Sequence, residues 1–124
     1  MSTDHYDFNE ALNHEAALIL VSDGCPPATF DSLLHVTSLG FLLGRHPEIT
    51  PENPRVLILI LAPGEELALA ERPDGLAARK AALRAACAKS LAAAGWELGE
   101  RGPILAATAP REAVAAALSA VLER

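Results

Sequence analysis

Cys25 is the residue whose setting in this chain could do chemistry. It follows Ser22-Asp23-Gly24 and precedes two prolines, within the stretch ALILVSDGCPPATFDSLLHVT at 17–37. The apolar run 17–21 has the length of a strand covered on both faces, and the amphipathic pattern after Pro26 is that of a helix. Cys25 is then expected at a helix N-terminus, where the macrodipole and the free backbone N–H groups favour a thiolate. Ser22 and Thr29 lie close enough in sequence to add hydroxyls, and Asp23 is expected to close the single-glycine turn at Gly24 by an Asx bond. His35 falls on the same expected helix. Open α/β sheets bind their ligands at the carboxyl ends of strands. A site is therefore expected at the 22–27 junction, with Cys25 as the catalytic residue and Ser22, Asp23, Gly24, Thr29 and His35 as binding residues.

The plainer reading of Cys25 is an inert small residue at a helix cap, and nothing in the sequence supplies it with a confirmed base. Cys25-Pro26-Pro27-Ala28 superficially resembles the single-cysteine form of thioredoxin-like active sites, but the position of the second cysteine holds Ala28. Asp31, His35 and Ser38 have the residue types of a triad at helical spacing. A triad needs its base hydrogen-bonded between the other two groups, and positions strung along one helix read more simply as a solvated stripe. The four histidines, His5, His14, His35 and His46, show neither HxH nor HxxxH spacing, so no metal is expected. Neither GxGxxG nor GxxxxGK[ST] occurs, and Asp23, Glu65 and Glu66 would repel a phosphate at the strand ends. No cofactor is expected. Cys87 falls between Leu83 and Leu91 on an apolar helical line and reads as core.

Several elements must position these residues. Phe8, Leu12 and Ala16 recur every four residues, so a short helix within 1–16 is expected ahead of a first strand at 17–21. The helix at 26–43 carries Phe30, Leu33, Leu34, Val36, Leu39, Phe41, Leu42 and Leu43 around most of its circumference. Its narrow polar stripe of Asp31, His35, Ser38 and Arg45 implies burial on more than one side, with Gly44 as its C′ residue. Three prolines make 45–54 a surface connection. The clearest strand is 55–61, RVLILIL, whose unbroken apolar character implies cover on both faces, as in a parallel sheet. Residues 65–72 fit a short helix, or else a hairpin partner of 55–61 turned at Pro63-Gly64. A strong helix at 76–94 stops at Gly95, with Trp96 just past the stop. A third strand at 103–107 precedes a last helix whose first turn holds Pro110; Val114, Leu118, Val121 and Leu122 share one of its faces.

These elements define a single α/β domain over 1–124, a small three-layer sandwich with a short, mainly parallel sheet flanked by helices. The alternative is an α+β ferredoxin-like βαββαβ sheet with an extra C-terminal helix. At 124 residues and 51% hydrophobic content the chain can bury a core without staples. The net charge of −6 and the pI near 5.1 come with no basic stripe. Nucleic acids and anionic membrane surfaces are therefore not expected as partners. No apolar run reaches the roughly 18–20 residues of a membrane span, and the N-terminus is not a signal peptide. Two cysteines do not suggest a disulfide framework, and a cytoplasmic location is expected. The expected function is a non-catalytic module that binds itself, as a homodimer, or another protein. The alternatives are a thiol-dependent enzyme or redox protein using Cys25, and a small-molecule carrier using the strand-end crevice.

Overall fold

The computed structural model describes residues 3–44, 49–63, 76–101 and 104–123. Along the chain these form α1 (Thr3–Ser22), β1 (Thr29–Phe30), β2 (Val36–Ser38), β3 (Gly40–Leu43) and β4 (Arg55–Leu61). Next come α2 (Leu76–Ala93), β5 (Glu97–Arg101), β6 (Ile104–Thr108) and α3 (Arg111–Leu122). Among the described residues the fold is mixed α+β, with three helices and two antiparallel sheets. β1 and β2 make a small hairpin, and a four-stranded sheet has the order β3-β4-β6-β5.

The first correction concerns 17–21. These residues are the last turns of α1, not a strand. Phe8, Leu12, Ala16 and Leu20 form one buried line at four-residue spacing that runs straight through the apolar stretch. A run of five apolar residues fits either structure, and the period carried in from upstream decides for helix. The helix ends in a Schellman motif. The Gly24 N–H donates to the Val21 carbonyl at 3.0 Å and the Cys25 N–H to the Leu20 carbonyl at 2.9 Å. Gly24 supplies the left-handed φ of 88° that this geometry requires.

The second correction concerns 26–43, which is not a helix. Residues 26–28 run extended beside β3, where the Phe41 N–H donates to the Pro26 carbonyl and the Ala28 N–H to the Phe41 carbonyl. Proline at two successive positions removes two donors, and the chain meets that loss by extending rather than coiling. The β1–β2 hairpin then projects before β3 enters the sheet. Gly44 is no helix cap; its N–H continues the β3–β4 pairing to the Leu57 carbonyl at 2.8 Å.

The third correction is the sheet itself, which is antiparallel throughout. Phe41 stands opposite Ile60 and Leu43 opposite Ile58 on one side of β4. On its other side Val56 faces Ala107 and Ile58 faces Leu105. The crossover through α2 nonetheless obeys the expected direction, since β4 and β5 both run against β6 and so are parallel to each other. β5, which the sequence pattern does not announce, leaves α2 and hairpins back into β6. Overlooking β5 reverses the inferred direction of the next strand. The ferredoxin-like alternative fails as well, because its first strand is helical. Its proposed hairpin partner at 66–70 lies outside the described residues, as do the short helix proposed for 65–72, Arg45 and His46.

Other expectations hold with small shifts: 55–61 is β4, the helix expected at 76–94 is α2 at 76–93, and Pro110, expected in the first turn of α3, is instead its N-cap residue. Helix α2 ends like α1. Gly95, at φ 93°, lets the Trp96 N–H reach the Leu91 carbonyl at 3.0 Å, and Trp96 is turned into the core. The core joins Leu12, Leu20, Val56, Ile58, Cys87, Leu91, Leu105, Ala107 and Ala117, so helical residues cover one face of the four-stranded sheet. On α3 the buried positions are Ala113 and Ala117, while Leu118 and Leu122 point outward. Alanine at these positions lets α3 pack closely on α1. The opposite face of the sheet carries Leu42, Leu57, Leu59 and Leu61, none of which packs on that core.

Three glycines make this backbone account testable. Gly24→Ala is expected to cost about 1 kcal/mol through its left-handed φ. A Cβ at Gly40 would collide with the backbone of Pro27 and Ala28, so Gly40→Ala is expected to cost about 3 kcal/mol or more. Gly99, with open space around it, should accept alanine within about 0.5 kcal/mol. Urea unfolding of the three variants checks the order, and a Gly40→Ala protein as stable as the parent contradicts it.

Candidate functional site

The residues expected to share one site occupy two places. Ser22, Asp23, Gly24 and Cys25 cluster where α1 ends, and Thr29 and His35 lie on the β1–β2 hairpin. Cys25 follows the C-terminus of α1, so the helix contributes exposed carbonyls and the negative end of its dipole instead of free N–H groups. The free helix N–H groups expected beside its thiol are therefore not there. Cys25 is buried at 5% exposure, and its thiol neighbours that of Cys87. Burial and the neighbouring Cys25 push the Cys87 thiol from its ordinary 9.0 up to about 12. Cys87 is core, as expected, and it has a neighbour that sequence spacing could not reveal.

Asp23 does not close an Asx turn. It accepts a hydrogen bond from the Ser90 hydroxyl at 2.5 Å, which ties the end of α1 to α2. Ser90 is buried, so this bond satisfies a hydroxyl that would otherwise be stranded. Between the C-terminal turns of the two helices lies an open groove of about 430 Å³ lined by Leu18, Ile19, Ser22, Asp23, Ser90, Ala93 and Ala94. Its walls are mainly apolar. Among the described residues, this groove between two helix ends lies beside Ser22 and Asp23.

The hairpin is organised by Asp31. Its Oδ1 accepts the N–H of Leu33 at 2.8 Å and the N–H of His35 at 2.9 Å, while Oδ2 lies 3.3 Å from His35 Nδ1. The His35 N–H also holds this carboxyl below the ordinary 3.8, with the Leu33 N–H and the His35 ring acting in the same sense. The helical face expected for Asp31, His35 and Ser38 is a tight turn followed by a strand. Thr29 sits across from Ser38 in the hairpin register, and its hydroxyl is 2.6 Å from that of Thr37 and 2.7 Å from that of Ser38. The hydrogen bonds shown for these hydroxyls stay within the hairpin.

The chain was compared with protein-family models, curated proteins and solved structures. It matches none of them. Function must therefore be argued from the surface itself. Its chief feature, the exposed apolar tip, is one that sequence reasoning missed. Phe30 is 38% exposed, Leu33 74% and Leu34 79%. Leu34 adopts a left-handed φ of 66°, a conformation that costs leucine on the order of 1 kcal/mol. Assigning these leucines to a helix concealed them, although leucines crowding every side of an expected helix were the available signal. Among the described residues, no group of His, Cys, Asp and Glu side chains could hold a metal ion.

The Asp31 turn gives a pH prediction with a defined sign. A carboxyl whose folded pKa is lowered stabilises the turn above its ordinary pKa, and loses that contribution as pH falls through the lowered value. In an NMR titration, the amide signals of Leu33 and His35 should move with the Asp31 carboxyl, at a midpoint below the ordinary carboxylate range. Asp31→Ala should abolish the shared transition. Amides that titrate independently of Asp31 would contradict this account.

Proposed function

We propose that this protein is a non-catalytic association module whose partner is a second copy of itself, engaged through the β1–β2 hairpin tip. The carrying observation is that tip: Leu33 and Leu34 stand in water on a turn held by three contacts from one carboxylate. Large apolar side chains fixed in place before binding lose little conformational freedom on association. Burying each would favour association by about 1.5–3 kcal/mol. A second copy is preferred to an unrelated protein because the same chain offers both protrusion and hollow. The groove beside Leu18 and Ala93 and the leucines on the outer sheet face are apolar surfaces that a tip could meet. A two-fold arrangement would use such a pair of surfaces twice.

With Cys25 at a helix C-terminus, the helix N-terminus invoked for a catalytic thiolate no longer supports the thiol-enzyme reading. The carrier reading has only an open groove to support it. No described helix is long and apolar enough to cross a membrane, and a cytoplasmic location belongs to the same proposal.

Sedimentation velocity across a concentration series tests this reading. The parent protein should shift from monomer to dimer as concentration rises. Leu33→Asp and Leu34→Asp should each raise Kd about tenfold or more with the unfolding midpoint unchanged. Leu34→Gly removes the side chain and its backbone cost together, so it should weaken the dimer without lowering stability. A parent that stays monomeric throughout, or a dimer indifferent to all three substitutions, overturns the proposal.

A further inference from the structure

Cys25 and Cys87 are the only two cysteines of the chain. Both are free and buried, and the fold brings them together from opposite halves of the sequence. The Schellman turn at Gly24 directs Cys25 inward, with its N–H bonded to the Leu20 carbonyl. Ser90, one turn along α2 from Cys87, donates to Asp23, two residues before Cys25. That bond pins the end of α1 against the part of α2 that carries Cys87. Both residues belong to the same packed cluster, and the Cys25 thiol is close enough to act on the Cys87 thiol. Neither cysteine plays a part in the association proposed above, and the chemistry of the pair is independent of it.

We propose that Cys25 and Cys87 are a modification site for hydroperoxides, which convert the pair into an intramolecular disulfide joining α1 to α2. The Cys25 sulfur attacks one peroxide oxygen and the O–O bond breaks. Cys25 becomes a sulfenic acid, and the other oxygen leaves as water with the thiol proton. The Cys87 sulfur then attacks the Cys25 sulfur. The S–S bond forms, the S–O bond breaks, and the hydroxyl leaves as a second water with the Cys87 proton. Two thiols lose two electrons and one peroxide gains them, with hydrogen peroxide giving two waters. The order follows from position. Cys25 lies in the loop after α1 and retains some exposure, whereas Cys87 is fully enclosed in α2. Cys87 also keeps its proton far above neutral pH, so it acts second, on the neighbouring sulfur.

The test treats the folded, reductant-free protein with hydrogen peroxide, then unfolds it and counts thiols. Both thiols should disappear together, the intact monomer should lose the mass of two hydrogens, and dithiothreitol should restore both. In Cys87→Ser, dimedone should trap a sulfenic acid at Cys25; in Cys25→Ser, Cys87 should stay unlabelled. Two surviving thiols overturn the proposal. So does oxygen added irreversibly to either sulfur, or a disulfide that links two chains. Trapping at Cys87 instead of Cys25 overturns the order of attack. Should either variant fail to fold, the parent's thiol count and mass decide the matter alone.

Discussion

The architecture depends on two helices that end in the same way. Gly24 and Gly95 each take φ near 90°, and each lets the following N–H close a bond back to a buried leucine, Leu20 or Leu91. The residues sent inward, Cys25 and Trp96, are buried. A β-carbon at either glycine would oppose that turn at a cost of about 1 kcal/mol. The segment leaving each turn builds the sheet. After Gly24, residues 26–28 pair along β3 and occupy its outer side; after Gly95, β5 runs out and returns as β6. With either reversal misdirected, the strands would lose their register with β4.

This dependence explains what the sequence could and could not disclose. The strand at 55–61, the helix at 76–93 and the start of α3 were legible because each carries a long or unmixed pattern. The run at 17–21 was not, since its strand-like composition ends a helix and its glycine closes that helix instead of opening a turn into another. With 17–21 read as a strand, Pro26 looks like a helix start, and Cys25 acquires a helix dipole of the wrong sign. One misread run thus produces the active-site reading and, together with the overlooked β5 and the unbroken apolar run of β4, the parallel sheet. β5 was hidden for another reason: ELGER has two glutamates, an arginine and a glycine, and Leu98 is its apolar residue, packed on the core. Charge on an edge strand discourages unwanted pairing, and the same charge removes the hydrophobic alternation by which a strand is recognised.

The unbroken apolar run of β4 carries a different meaning from the usual one. Such runs usually mean helices on both faces, yet the core helices cover only the face bearing Val56 and Ile58. Leu57 and Leu59 on the other face still pack locally, lying within van der Waals distance of where a side chain on Gly44 would begin. Apolar content therefore measures surface to be covered, without saying what covers it. The same holds at Leu33 and Leu34, where the sequence implied burial and the folded monomer leaves them in water. At both places, among the described residues, an apolar pattern is present without the cover on every side that it led one to expect.

The hairpin tip and the thiol pair are joined by a short stretch of chain whose bonds can be followed one after another. Asp23 is held by Ser90, Cys25 by Leu20, residues 26 and 28 by Phe41, and Thr29 by its register with Ser38. A hairpin of two- and three-residue strands cannot stand alone in water. Its order is borrowed from the anchored segment before it and from β3 after it. Asp31 then fixes the turn between them using contacts that are individually weak, because all are solvated. Their effect is geometric: they select one conformation for two leucines that have no internal partner. The tip therefore owes its shape to a local carboxylate and its place to the end of α1, where a helix, two thiols and a buried hydroxyl meet.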